Sequence, residues 1–260
     1  MEKFKASLYA WNGMTLFFGV IPDNHEHAHH LIQIIIGLNR DFKITSSKGT
    51  YDSRYAIVAP DEPHFVDDYN DWQVMIHIDP ETVVGQHLKK QFFNVEKVVN
   101  FEFNLIEPFI DELQSFKESI HTCREATRLV DNILVSLTGN PIQQHILDPR
   151  IQKAIDTLKQ VPLKKMSTKV LASSVCLSEG RLTHLFKEQV GIPIRRYLMW
   201  LRITDALLII STGASFTEAA HHAGFADHAH LSRTYRNMYG MRLSDVLKNI
   251  QSVQTIFCYH

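Results

Sequence analysis

The segment Leu182-Thr-His-Leu-Phe186-Lys-Glu-Gln-Val-Gly191 returns later in the chain as Leu231-Ser-Arg-Thr-Tyr235-Arg-Asn-Met-Tyr-Gly240. Leu182 matches Leu231, Phe186 matches Tyr235, Lys187 matches Arg236 and Gly191 matches Gly240, all at an offset of 49 residues. Upstream, Ala172 pairs with Ala220 at an offset of 48, which puts one extra residue in the second turn. Each copy has the parts of a helix-turn-helix. A short helix carries a small residue, Ala172 or Ala220, where two helices approach closely. A turn follows at Cys176-Leu177 or Gly224-Phe225, and a second helix starts at Ser178 or Asp227, both good N-caps. Helical periodicity turns Leu182, Leu185 and Phe186 to the core and Arg181, Thr183, His184 and Lys187 outward. The outward set of the second copy is His228, His230, Ser232, Arg233 and Arg236. Cationic and small hydrogen-bonding groups suit phosphates and base edges in a major groove. One such pattern is a weak signal, because many helical cores show it; two copies at one spacing are a strong one.

The charge distribution points the same way. The 260 residues carry a formal net charge of −1. Residues 1–147 hold 12 Lys and Arg against 20 Asp and Glu, and residues 148–260 hold 15 against 8. Only the second half is basic, so only that half is expected to approach a polyanion. Cys123, Cys176 and Cys258 form no CxxC pair and are odd in number, which argues against a secreted disulfide framework and for a reducing cytoplasm. The first residues lack a continuous apolar stretch of signal-peptide type, and no run is long and apolar enough to span a bilayer. No membrane partner is expected.

Outward from the repeat, residues 149–160, 167–174, 178–189, 193–211, 216–222, 227–238 and 243–250 read as helices, with Asp148 capping the first and Pro149 at its first position. Residues 8–100 read as short strands. Thr15–Val20, Leu31–Ile36, Phe42–Thr45, Tyr55–Ala59 and Trp72–Ile78 are rich in β-branched and aromatic residues and separated by turn formers, which suggests a small sandwich or barrel. Between these regions, Leu105 to Ile120 and Ala126 to Leu137 are amphipathic helix patterns. The stripe of Leu129, Ile133 and Leu137 packs either on its own sheet domain or against a second copy of the chain; dimerisation is the expectation. Thr138-Gly139-Asn140-Pro141 stops the second helix. The divisions are therefore 1–100 (sensory), 101–147 (dimerisation helices and linker), 148–250 (DNA binding) and 251–260 (tail), in an α+β fold class.

The helical half resembles the AraC/XylS family of bacterial transcription regulators. The resemblance covers about 100 residues, Asp148 to Lys248, and rests on Arg202-Ile-Thr-Asp-Ala206-Leu-Leu-Ile209-Ile210, then Ser215-Phe-Thr-Glu218-Ala-Ala220, Ala223-Gly224-Phe225, Asp227, Leu231-Ser-Arg233, Tyr235 and Gly240. It implies an all-α domain with two helix-turn-helix subdomains joined by the long helix at 193–211, able to enter successive major grooves roughly 34 Å apart on double-stranded DNA. Its base-reading positions fall on Gly180, Thr183 and His184, and on His228, Ala229, Ser232 and Arg233. Gly180 offers no side chain, His184 stands where the family often has Arg, and the Pro usual after the last Gly is absent. These departures bear on the first unit's share of specificity. RNA polymerase contact, activator character and a homodimer are further implications.

The N-terminal stretch His27-Ala-His29-His30-Leu-Ile-Gln33, with Pro60-Asp-Glu-Pro63-His64 later, resembles the cupin-like β-barrel that serves as this family's sensory domain. Three readings stand side by side. A small-molecule effector pocket, with His27, His29, Gln33, His64 and Trp72 at its mouth, is the expectation, and no cofactor or metal is required by it. The same histidines with Gln33 could hold a transition metal, as in metal-dependent cupin enzymes. They could instead only cap strands or pair with nearby acids. The function expected is an effector-controlled transcription regulator and not an enzyme; the alternative is a metal-dependent cupin enzyme with a helical appendage. No G-x-S-x-G, phosphate-binding Gly loop or Cys beside a base is present.

Overall fold

A computed structural model describes residues 6–11, 13–20, 26–69, 71–139, 147–239, 242–244 and 253–258. The chain divides into two compact units. One comprises residues 1–80, 84–142 and 236–260, and the other residues 81–83 and 143–235.

Among the described residues, the first unit has ten strands: β1 (Ala6–Trp11), β2 (Met14–Gly19), β3 (Ile32–Gly37), β4 (Phe42–Ser46), β5 (Gly49–Ser53), β6 (Tyr55–Val58), β7 (His64–Asp67), β8 (Gln73–Ile78), β9 (Val98–Asn100) and β10 (Val253–Phe257). Seven form one sheet in the order β10-β1-β2-β8-β3-β6-β9, and three form a second in the order β5-β4-β7. All pairs are antiparallel except β1 with β10. Helix α1 (Val83–Phe92) falls inside the stretch expected to be all strand. It buries only Gly85 and Leu88, too narrow a stripe to register as a helix period.

The large sheet is buried on both faces at β3 and β8, which is why these strands read as mostly apolar, interrupted only by Gln33, Gln73 and His77, rather than alternating. Ile32, Ile34, Ile36, Val74, Ile76 and Ile78 project from one face into a core shared with helices α2 (Ile110–Glu118) and α3 (Cys123–Thr138). Ile35, Ala56, Val58 and Met75 project from the other face and meet Phe42, Ile44 and Val66 of the small sheet. This second core is the barrel interior.

Helix α3 begins at a capping box in which Glu125 accepts from the Thr122 backbone N–H at 2.7 Å, and it ends at Gly139 with φ +66°. Leu129, Ile133 and Leu137 are 0%, 0% and 2% exposed within this unit's own core. The expectation that this stripe meets a second copy is thereby corrected: the seven-stranded sheet already covers it.

The tail docks on this sheet. β10 adds a parallel strand to β1, the Cys258 backbone N–H donates to the Ala10 carbonyl at 2.9 Å, and Cys258 forms a disulfide with Cys123 at a Cα separation of 5.4 Å. The two cysteines are 135 residues apart, so spacing alone carried no hint of the pair, and the expectation of thiols kept reduced does not describe Cys123 and Cys258. Cys176 is free and exposed.

The second unit is helical: α4 (Pro149–Gln160), a 3-10 turn at Leu163–Lys165, α5 (Thr168–Ser174), α6 (Glu179–Val190), α7 (Ile194–Ser211), α8 (Phe216–His222) and α9 (His228–Tyr239), the last running past the division between units. Asp148 caps α4 by accepting from the Arg150 N–H at 2.8 Å. Side-chain and backbone hydrogen bonds from Arg150 hold its carboxyl down to about 2. The helix expected at 243–250 lies almost wholly outside the described residues. The α+β class stands, with a barrel-like sheet unit and an all-α unit.

Candidate nucleic-acid interface and a buried histidine cluster

The two helix-turn-helix copies superimpose in chemistry as well as in sequence. In the first, the Leu177 N–H reaches back to the Ala172 carbonyl at 2.9 Å; in the second, the Phe225 N–H reaches back to Ala220 at 2.8 Å. The residue before each donor is left-handed, Cys176 at φ +57° and Gly224 at φ +85°. All three pairs keep the offset of 48. Ser178 then caps α6 through the Arg181 N–H at 3.2 Å, and Asp227 accepts from the His230 N–H at 2.6 Å. Those caps are offset by 49, so the extra residue of the second turn is Ala226. In Gly224 the missing Cβ is a steric requirement: one built there would lie 2.9 Å from Lys164 Cα.

Behind the turns, Leu182, Phe186, Leu231 and Tyr235 are buried. In front, Arg181, Thr183, His184 and Lys187 are exposed on α6, as are His228, His230, Arg233 and Arg236 on α9, with Ser232 half-buried. Gly180, Thr183, His184 and Lys187 follow the i, i+3, i+4, i+7 spacing of one helix face, and Ala229, Ser232, Arg233 and Arg236 repeat it 49 residues on. His230 differs from the other outward residues. Its ring packs edge-on against Phe225 at 5.3 Å between centroids, and its Nδ1 lies 3.5 Å from the Ala226 N–H. It is held by the turn. Thr183 Oγ1 donates to the Glu179 carbonyl at 2.8 Å, and His184 Nδ1 lies 3.6 Å from Glu188 Oε2.

One positioning residue was not read as such from sequence. Arg202 on α7 donates from Nη2 to the Met166 and Leu163 carbonyls at 3.2 and 3.4 Å, and burial lowers its pKa. It fixes the 3-10 turn against which Gly224 packs.

In the sheet unit, the barrel interior ends in histidines. His27 and His64 exchange backbone hydrogen bonds at 3.0 and 2.9 Å in an isolated antiparallel bridge. Register sets Thr15 and Gln33 on either side of His77 across β2, β8 and β3. The ring centroids of His27 and His64 are 4.5 Å apart, those of His29 and His64 5.1 Å, and those of His29 and His77 5.3 Å. His29, Gln33 and His64 are at most 2% exposed. His29 Nδ1 donates to the Leu31 carbonyl at 2.9 Å and His64 Nδ1 to the Glu62 carbonyl at 2.8 Å. Burial first, and for His64 the neighbouring histidines as well, pushes His29 down to about 4 and His64 to about 3. Burial drives His77 well below its ordinary value. These rings are therefore neutral.

The structure thus brings together His27, His29, Gln33 and His64. Trp72 is elsewhere: it packs on the helix-side core, with Lys117 Nζ 5.7 Å from its ring centre. His77 belongs to the cluster and was not singled out from sequence. Its signal was its odd-numbered place with Gln73 and Met75 in β8, on the face opposite Val74, Ile76 and Ile78.

Residues 171–249 match the family model of a helix-turn-helix domain. Over 76 residues the chain is 34% identical to the arabinose operon regulatory protein of Salmonella typhimurium, which is 29% of this chain and 27% of that protein. The helix-turn-helix half is thus similar to that of an arabinose operon regulator. An uncharacterized HTH-type transcriptional regulator of Haemophilus influenzae is 22% identical over 156 residues, 56% of this chain and 52% of its own. The chain thus spans about half or less of the curated relatives it matches. The fold likeness extends beyond the helix-turn-helix half. The crystal structure of an apo ToxT variant from Vibrio cholerae aligns with a TM-score of 0.50 at 12% identity, covering 92% of this chain and 98% of that one. No described helix is long and apolar enough to cross a membrane.

Proposed function

We propose that this chain is a sequence-specific DNA-binding transcription regulator of the AraC/XylS type, controlled by an effector bound at the barrel histidines. The observation that carries the reading is the pair of exposed stripes 49 residues apart, each seated on a buried helix-turn-helix core. Arg233 and Ser232 are the base readers of the second helix-turn-helix copy, Thr183 and His184 those of the first, while Lys187 and Arg236 neutralise phosphates. Helix α7, 18 residues long, is about 27 Å of rigid spacer between the two helix-turn-helix copies. An effector acts by binding one arrangement of the chain more tightly than another. A homodimer would use surfaces other than the covered stripe of α3; RNA polymerase contact and activation are what the resemblance to the AraC/XylS family implies. The enzyme alternative rests on the barrel histidines alone, and the relatives are named as regulators.

The test is fluorescence anisotropy of the full chain with duplex DNA from upstream of its own gene, beside a scrambled duplex, over a range of salt. Arg233→Ala is expected to cost roughly 1–3 kcal/mol and to relax the preferred sequence. Lys187→Ala should weaken both duplexes alike and lower the salt slope by about one. If Arg233→Ala and Thr183→Ala both leave affinity and preference intact, these helices do not read DNA.

A further inference from the structure

We propose that His27, His29, His64 and Gln33 form a site for a divalent first-row transition-metal ion. This names the chemical class of the barrel's ligand, and its regulatory meaning rests on the effector reading above.

The argument starts from tautomers. A main-chain carbonyl only accepts, so the contacts to Leu31 and Glu62 place the ring proton of His29 and of His64 on Nδ1. Being neutral, each ring then presents a lone pair at Nε2. Both lone pairs aim at one point, the end of the Gln33 carboxamide, whose Oε1 lies 2.8 Å from His29 Nε2 and 2.9 Å from His64 Nε2. Two lone pairs and a carbonyl oxygen repel one another, so the carboxamide must either turn its NH2 to the rings or share the point with a cation. Oxygen and amide nitrogen exchange places by a half-turn of the side chain. A ring nitrogen held by a backbone carbonyl while its other nitrogen faces inward is the arrangement that orients metal-ligating histidines.

The remaining geometry agrees. Ligand atoms of His27, His29 and His64 lie within 4.8 Å of one another. Metal–nitrogen bonds of about 2.0–2.1 Å require His29 and His64 Nε2 to close in by under an ångström from their present 2.8 and 2.9 Å to the convergence point, with Gln33 Oε1 drawing back to coordinate from the side. Imidazole donors with a neutral amide oxygen favour zinc, nickel, copper or cobalt over magnesium or calcium. The convergence point lies between strands that are far apart in sequence, held by the His27–His64 bridge and the β3–β8 register, so it is set before any ion arrives.

The experiment is a titration of chelator-treated full-length protein with Co2+ alone, read by visible absorption, followed by Zn2+. One saturable Co2+ per chain, with a ligand-field band that Zn2+ abolishes, is expected. Gln33→Glu adds a negative donor and should tighten binding about tenfold or more. His64→Gln should weaken it by about tenfold or more, with circular dichroism recorded on every variant. A gain of affinity in Gln33→Glu cannot come from unfolding, so the proposal stays open to refutation if His64→Gln does not fold. Absence of saturable binding by folded wild-type protein overturns the proposal. Equal affinity in wild type and Gln33→Glu also overturns it, since the ion would then sit among other histidines. Neither arm contains DNA, so a failure here is separate from a failure of the Arg233 titration.

Discussion

The two units deploy their polar side chains in opposite ways. The sheet unit sinks His29, Gln33, His64 and His77 into its interior, each less than a tenth exposed. The helical unit turns Arg181, Thr183, His184, Lys187, Arg233 and Arg236 out to solvent. Buried polar groups must find partners and lose their charge, so the sheet unit stakes stability on them. Exposed cations cost almost nothing and wait for a polyanion. The sheet unit should therefore answer to redox state and pH, and the helical unit to backbone geometry and salt.

Opening the disulfide is the sharpest way to separate them. A link closing a loop longer than 100 residues stabilises by about 4–5 kcal/mol, chiefly by restricting the unfolded chain. Reduction, or Cys123→Ser, should lower the stability of the sheet unit by up to that amount. Hydrogen exchange should show protection lost in β1, β10 and α3 and kept in α5 and α6. Equal loss in both units would break the comparison.

Within the helical unit, the left-handed turn position offers a paired test. Gly224→Ala combines an unfavourable φ with a clash against the Lys164 backbone and should destabilise by about 1–3 kcal/mol. Cys176→Gly relieves the same backbone conformation in the first copy and should be neutral or stabilising by up to about 1 kcal/mol. Denaturant midpoints of the two variants should move in opposite directions.

Acid should act on the sheet unit first. His29, His64 and His77 bind protons less readily folded than unfolded, so below the unfolded value of 6.5 the unfolded chain takes up protons that the fold refuses. Their contribution is intact above pH 6.5 and declines as pH falls toward about 4 and below. Urea midpoints at pH 7.5 and 5 should fall together with exchange protection in β3 and β8. The smallest effect is expected at Gly180, exposed, helical and with nothing within 4 Å of a built Cβ. Gly180→Ala should stabilise by up to about 1 kcal/mol. Gly180→Arg should raise affinity for DNA generally, since it restores a side chain on the reading stripe.

The helical half was open to sequence reading because its signals are local. Caps at Asp148, Ser178 and Asp227, the repeat, and three-and-four spacing all act within a few residues, and helix ends fall within one or two residues of expectation. The exposed stripe of each copy was legible for the same reason: a helix face follows from spacing. His230 is exposed as its spacing predicts, and its contacts with Phe225 and Ala226 in the turn are what spacing does not report. In the sheet half, β1, β5, β7, β9, β10 and α1 were not separately anticipated. Short strands are defined by partners distant in the chain, and β10 joins β1 across almost the whole sequence.

By itself, then, the sequence determined the duplicated motif, the residues that face outward from it, and the histidine and glutamine positions that could share a strand face. Tertiary structure alone decided that Leu129, Ile133 and Leu137 are covered by their own sheet, that Cys123 meets Cys258, that Trp72 lies apart from the histidines, and that His77 joins them. The physical reason is reach. Helical periodicity and capping are set by neighbours one turn away, whereas strand register, disulfide pairing and the tautomer of a buried ring depend on groups that only the folded chain brings within a few ångströms.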